Sequence, residues 1–106
     1  MPTLEKAGLV IAGSILVDEA VISNGQKIYV DNFVGNDATS ALSACLLIWD
    51  YGGAGETVLW AINQGVGLQH SIRLTGDGVK KLAIVLDNAC SQDYYMSAHC
   101  EYLEEN

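Results

Sequence analysis

Side chains able to do chemistry are few in this chain and widely spaced. A nucleophile with a base and an orienting acid can be drawn from Cys90 or Ser91, His99 and Asp93, yet a triad is defined by roles in space and no motif fixes these residues against one another. No catalytic residue follows, and the chain reads as a non-enzyme. Cys45, Cys90, Cys100, His70 and His99 are soft or borderline ligands, but they lack the short-spaced pair that structural zinc uses. No metal and no cofactor are expected. Asp31, Asp37, Asp77 and Asp87 lie in or beside turns, and a calcium site would need several of their oxygens to converge; solvated turn carboxylates are the plainer reading. Gly52-Gly53-Ala54-Gly55 lacks both the lysine and the helix of a phosphate cradle, so it reads as a hairpin tip.

Two histidines and five aromatic side chains offer binding rather than catalysis. His70 falls on the apolar side of an alternating stretch, which suits a core or subunit-interface histidine whose near-neutral pKa would respond to pH. His99 falls on the opposite, outward side of its own stretch, next to Glu101. Trp49, Tyr51, Trp60, Tyr94 and Tyr95 could stack sugar rings, with carboxylates or amides bonding the hydroxyls. The competing reading packs Trp49 and Trp60, on consecutive hairpin arms, into a core or a subunit interface.

The elements that must position these residues are short strands. A chain of 106 residues is one domain, and with half its residues hydrophobic and 17% charged it has the composition of a folded protein. Thirteen acidic residues against five scattered basic ones give a net charge of −8, which excludes nucleic acid as a partner. The apolar run after Lys6 is broken by Asp18-Glu19, unlike a signal peptide, and it is too short to span a bilayer. Three cysteines, an odd number, fit reduced thiols made in a cytoplasm.

Period-two alternation and glycine turns predict strands over Leu9–Val17, Gln26–Val34, Ala41–Tyr51, Thr57–Ile62, Val66–Leu74, Val79–Leu86 and Tyr94–Leu103. Gly13 reads as a bulge or bend in the first, and Asn24-Gly25 as a hairpin turn into the second. Between 38 and 49 helical spacing competes with the strand, and the glycine-rich turn that follows favours the strand. Seven or eight strands without a long helix predict an all-β fold, an antiparallel β-sandwich, with a jelly roll among its possible connections.

Ala41 to Tyr51, the stretch that organises the chain, is apolar on both faces. One face can be core, but so short a chain has little left to cover the other, so a partner subunit is expected there. Cys45, Leu47, Trp49, Trp60 and His70 are the candidate interface residues on this reading, with Leu46 on the opposite, core side.

The second half of the chain, from the W-D-Y-G-G-A-G turn at Trp49 through T-V-L-W-A-I and G-D-G-V-K-K-L-A-I-V-L-D-N to the Y-Y-M-S-A-H-C-E-Y ending, resembles small β-sandwich structural proteins of tailed bacteriophages. Head-decoration (cement) proteins and tail or fibre domains are the members in question. The resemblance implies a virion component made in the host cytoplasm, commonly a homo-oligomer such as a trimer seated on the major capsid protein. It carries over no catalytic or binding residue. A carbohydrate- or receptor-binding module is the alternative that the aromatic residues suggest.

Overall fold

The computed structural model describes residues 2–36, 43–63 and 66–105. Its eight strands are β1 (Thr3–Val10), β2 (Ile15–Val21), β3 (Lys27–Asn36), β4 (Ser43–Trp49), β5 (Thr57–Ile62), β6 (Ile72–Thr75), β7 (Lys81–Asn88) and β8 (Tyr94–Glu105). They form two four-stranded sheets, ordered β1-β8-β3-β6 and β2-β7-β4-β5, in which all pairs are antiparallel. The pairs β1·β8, β2·β7, β3·β6 and β4·β5 are nested, as if one long hairpin with its tip at β4–β5 had been rolled up. This is the jelly-roll way of connecting a sandwich.

Apolar residues from alternate positions of both sheets fill the space between them. Phe33, Ile28 and Val30 come from β3, Leu82, Ile84 and Leu86 from β7, and Met96 and Cys100 from β8; all are essentially inaccessible to solvent. With a single phenylalanine in the chain, the core is mostly aliphatic. Across the edge between the sheets, the Asp18 carboxylate accepts the Glu5 N–H at 2.9 Å and ties β2 to β1.

Several predicted elements are redrawn by the sandwich. The expected strand over Leu9–Val17 is split, because the chain turns at Ala12-Gly13 (Gly13 φ 75°) and passes from one sheet to the other. Asn24-Gly25 does turn the chain, with the Gln26 N–H bonded to the Ser23 carbonyl at 3.0 Å. It does not make the expected hairpin, since β2 and β3 belong to different sheets. Only Gly25 of the two has positive φ (77°), as a type II turn requires. The long strand expected over Val66–Leu74 is only Ile72–Thr75, because the preceding segment bonds its Leu68 N–H to the Phe33 carbonyl instead of joining a ladder. Residues 43–49 are strand; the start of the competing helical pattern, with Asp37, lies outside the described residues.

Two side-chain-scale devices hold the loops. The buried Asn88 donates from Nδ2 to the carbonyls of Val10 (2.9 Å) and Gln92 (2.8 Å) and accepts the Cys90 N–H at 3.0 Å. Its main chain bonds Gly13 and Ser14, so one residue fastens the β1–β2 corner to the β7–β8 loop. At the other end Gly76 is buried where the β2–β3 and β6–β7 loops cross. A Cβ there would lie 2.5 Å from the Ser23 carbonyl oxygen and 2.6 Å from that of Ile22, main-chain atoms that cannot rotate away. Gly76→Ala is therefore expected to lower stability by about 2 to 3 kcal/mol, read as a reduced urea midpoint at unchanged slope.

Candidate assembly surface

Strand β7 shows how the outside of the second sheet is built. Five consecutive residues, Leu82 to Leu86, are buried, so both of its faces are covered to some degree. Leu82, Ile84 and Leu86 point into the sandwich and belong to its core cluster, whereas Ala83 and Val85 are buried without belonging to it. They line the floor of the outer face, with Lys81 and Asp87 at the two ends of the same row. Register then assigns the neighbours, because residues directly opposite in an antiparallel pair share a face. Val85 is flanked by Val17 and Leu46, and Ala83 by Glu19 and Ile48. Ile15 and Val21 extend the face along β2, and Val58 and Ala61 along β5. Ile15, Val21 and Val58 are 47%, 53% and 52% exposed. The result is a largely apolar outer face whose charged groups are Glu19, Lys81 and Asp87, with Glu19 and Lys81 paired at 3.1 Å.

This geometry reverses the expectation for β4. Cys45 and Leu47, taken as interface residues, are fully buried in the chain's own core, opposite Leu86 and Ile84. Leu46, expected in the core, stands half-buried on the outer face. Alternation separates the two rows of a strand that is apolar on both sides, but it does not say which row faces in. The signal lay one strand away: Lys81 and Asp87 share parity with Ala83 and Val85 and mark that row as outward.

Trp49 and Trp60 are half-buried and lean on the core, helped by a register shift between Leu47 and Ile48. The shift brings Leu59 and Trp60, neighbours in sequence, both against it. The Trp60 indole N–H donates to the Val66 carbonyl at 3.0 Å, and its ring meets His70 edge-on at 6.1 Å. His70 is exposed and lies in the segment before β6, not on an apolar strand face. Tyr94 leans on the core while Tyr95, on the other face of β8, is exposed, so these two do not form one platform.

Several other chemical candidates are buried or engaged locally. Cys90 is buried, the Asp93 carboxylate accepts the Ala12 N–H at 2.9 Å, and His99 is held by two glutamates. The Asp77 carboxylate accepts the N–H groups of Lys80 and Val79, which hold its pKa below the usual value. Among the described residues no group of three or more His, Cys, Asp and Glu is arranged to hold a metal ion. All three cysteines are buried and in no disulfide, and burial pushes the Cys100 thiol up to about 12, with the Glu101 charge adding to it.

The outer face of the first sheet carries an ionic cluster that sequence reading caught only in part. His99 Nε2 lies 2.9 Å from Glu101, two residues along β8, and Nδ1 lies 2.5 Å from Glu5 on β1. Glu5 and His99 are directly paired across the two strands, a register invisible without the fold. The bond to Glu101, then that to Glu5, raises the histidine pKa against the opposing effect of desolvation. A raised folded-state value means that His99 contributes stability fully below its unfolded pKa and loses it as pH rises through the folded value. Relative to His99→Gln, the parent should show its largest melting advantage below about pH 6.5, shrinking toward pH 8. An advantage growing with pH would contradict the assignment.

No family model matches this chain, and no curated protein matches it significantly. Among solved structures, the crystal structure of Yersinia pseudotuberculosis-derived mitogen is similar over 93% of this chain and 84% of that one. The identity is 11% and the TM-score 0.47. So slight a likeness has no bearing on function. Among the described residues no helix is long and apolar enough to cross a membrane.

Proposed function

We propose that this chain is a non-enzymatic structural protein that works by assembling, and that the outer face of its second sheet is the surface it assembles through. The observation that carries this reading is the composition of that face. Leu46, Val17, Ile15, Val21 and Val58 stand on it beside a floor of Ala83, Val85 and Ile48. The first sheet also exposes Leu9, Val34, Tyr95 and Leu103, but there the Glu5–His99–Glu101 cluster and Arg73, stacked 4.6 Å over the Tyr29 ring, interrupt the apolar side chains. Contiguous apolar surface is costly to leave in water, and a patch larger than a few hundred Å² with a polar rim is characteristic of a contact surface. The sequence resemblance supplies the setting: a bacteriophage particle, with the chain as a decoration protein that oligomerises and sits on the major capsid protein.

The test is association state. The parent should associate reversibly as concentration rises, and Leu46→Asp should remain a monomer with an unchanged sheet spectrum, because it places an unpaired charge where apolar surface must be desolvated. A variant that associates like the parent would remove the face from this role.

A further inference from the structure

The outer row of β7 reads Lys81, Ala83, Val85, Asp87, a cation at one end, an anion at the other and small apolar side chains between. Consider two copies laid face to face about a two-fold axis that crosses the strand at right angles, level with Ile84. Lys81 of each then meets the partner's Asp87, with the buried floor of Ala83 and Val85 lying between the two ends. A parallel arrangement would oppose lysine to lysine and aspartate to aspartate. We propose that the second sheet is the interface of a two-fold homodimer in which the two β7 rows run antiparallel. This rests on the assembly role proposed for that face and names its occupant as a second copy of this chain.

Three observations carry it. The accessible ends of the row are self-complementary in charge, which an isologous interface demands of a single surface. Among the described residues Lys81 has one carboxylate, Glu19, at 3.1 Å, and no ion pair reaches the half-buried Asp87; the dimer sets each Lys81 between the two acids. The area is also sufficient. Four strands about 4.8 Å apart and roughly 20 Å long present about 400 Å² in projection per copy, so with side-chain relief a pair buries on the order of 1,000 Å². That meets the lower bound of about 1,000 Å² for a specific interface, and a reversible dimer follows. Two copies of net charge −8 repel at a distance, but at physiological salt the screening length of about 8 Å confines that repulsion.

Charge reversal tests the geometry directly. Sedimentation equilibrium at about 0.15 M salt would compare the parent, Lys81→Asp, Asp87→Lys, the double exchange Lys81→Asp/Asp87→Lys, and an equimolar mixture of the two single variants. The parent is expected to dimerise. Each single reversal should raise the dissociation constant about tenfold or more, the double exchange should restore it to within about threefold, and the mixture should form heterodimers in preference to either homodimer. Melting curves of each variant establish that the fold is kept. A monomer at every concentration, a stoichiometry other than two, or single reversals without effect would overturn the dimer. Association abolished by Leu46→Asp but indifferent to charge reversal would overturn this geometry alone. Association unaffected by Leu46→Asp would instead overturn the proposed assembly face itself.

Discussion

Truncating Asn88 to alanine should lower the free energy of unfolding by about 3 to 5 kcal/mol, a large share of the roughly 5 to 15 kcal/mol that holds a small domain folded. The side chain satisfies three main-chain groups, the buried Val10 carbonyl and Cys90 N–H and the part-buried Gln92 carbonyl. Removing it leaves all three without that partner in a site where each unmade hydrogen bond costs about 1 to 3 kcal/mol. Leucine would fill the volume but satisfy none of them, so Asn88→Leu should be no better than alanine. Urea unfolding followed by tryptophan fluorescence measures the change. A loss under about 1 kcal/mol would mean that water reaches these groups and that Asn88 is not the fastener described.

The second large effect is a contrast between neighbours. Leu47→Asp should abolish folding, because the position is fully buried among Ile84, Trp60 and the rest of the inter-sheet core, where a carboxylate has no partner. Leu46→Asp, one residue away, should melt within a few degrees of the parent monomer, since Leu46 is half-buried on the outside between Val85 and Ala61. Circular dichroism melts decide the matter. If both variants unfold, the outer face is as enclosed as the core; if Leu47→Asp folds, the sheets are not packed as described.

Much of the architecture was legible before any coordinates. The glycine-rich tip at residues 52–55 does join two adjacent antiparallel strands, and the all-β sandwich is what the turn spacing implied. These features depend on local periodicity and local turn chemistry, which the chain states directly. Features that depend on which sheet a strand joins were missed. Asn24-Gly25 turns the chain as its residue types require, yet the turn passes between sheets, and nothing local separates that from a hairpin. The division of Leu9–Val17 at Gly13 is of the same kind, since an isolated glycine serves a bulge or a corner equally well.

The candidate surface was half legible. That β4 is apolar on both faces could be read from its residues; which face lies outside the sandwich could not. Cys45 and Leu47 were placed outside because the strand was considered alone, whereas its neighbour β7 labels the outward row with Lys81 and Asp87. The Asn88 network and the Glu5–His99 pair were missed for a plainer reason. Each joins residues far apart in sequence, 78 positions from Val10 to Asn88 and 94 from Glu5 to His99, and only the rolled topology brings them together.

Radical footprinting of the assembled protein against its dilute, dissociated form would test the assembly surface most directly. Leu46, Val17 and Val58 on the second sheet should become protected on assembly, while Tyr95 and Val34 on the first sheet react equally in both states. Protection of Tyr95 and Val34 with Leu46 and Val58 unchanged would contradict the assignment and move the interface to the opposite face of the sandwich.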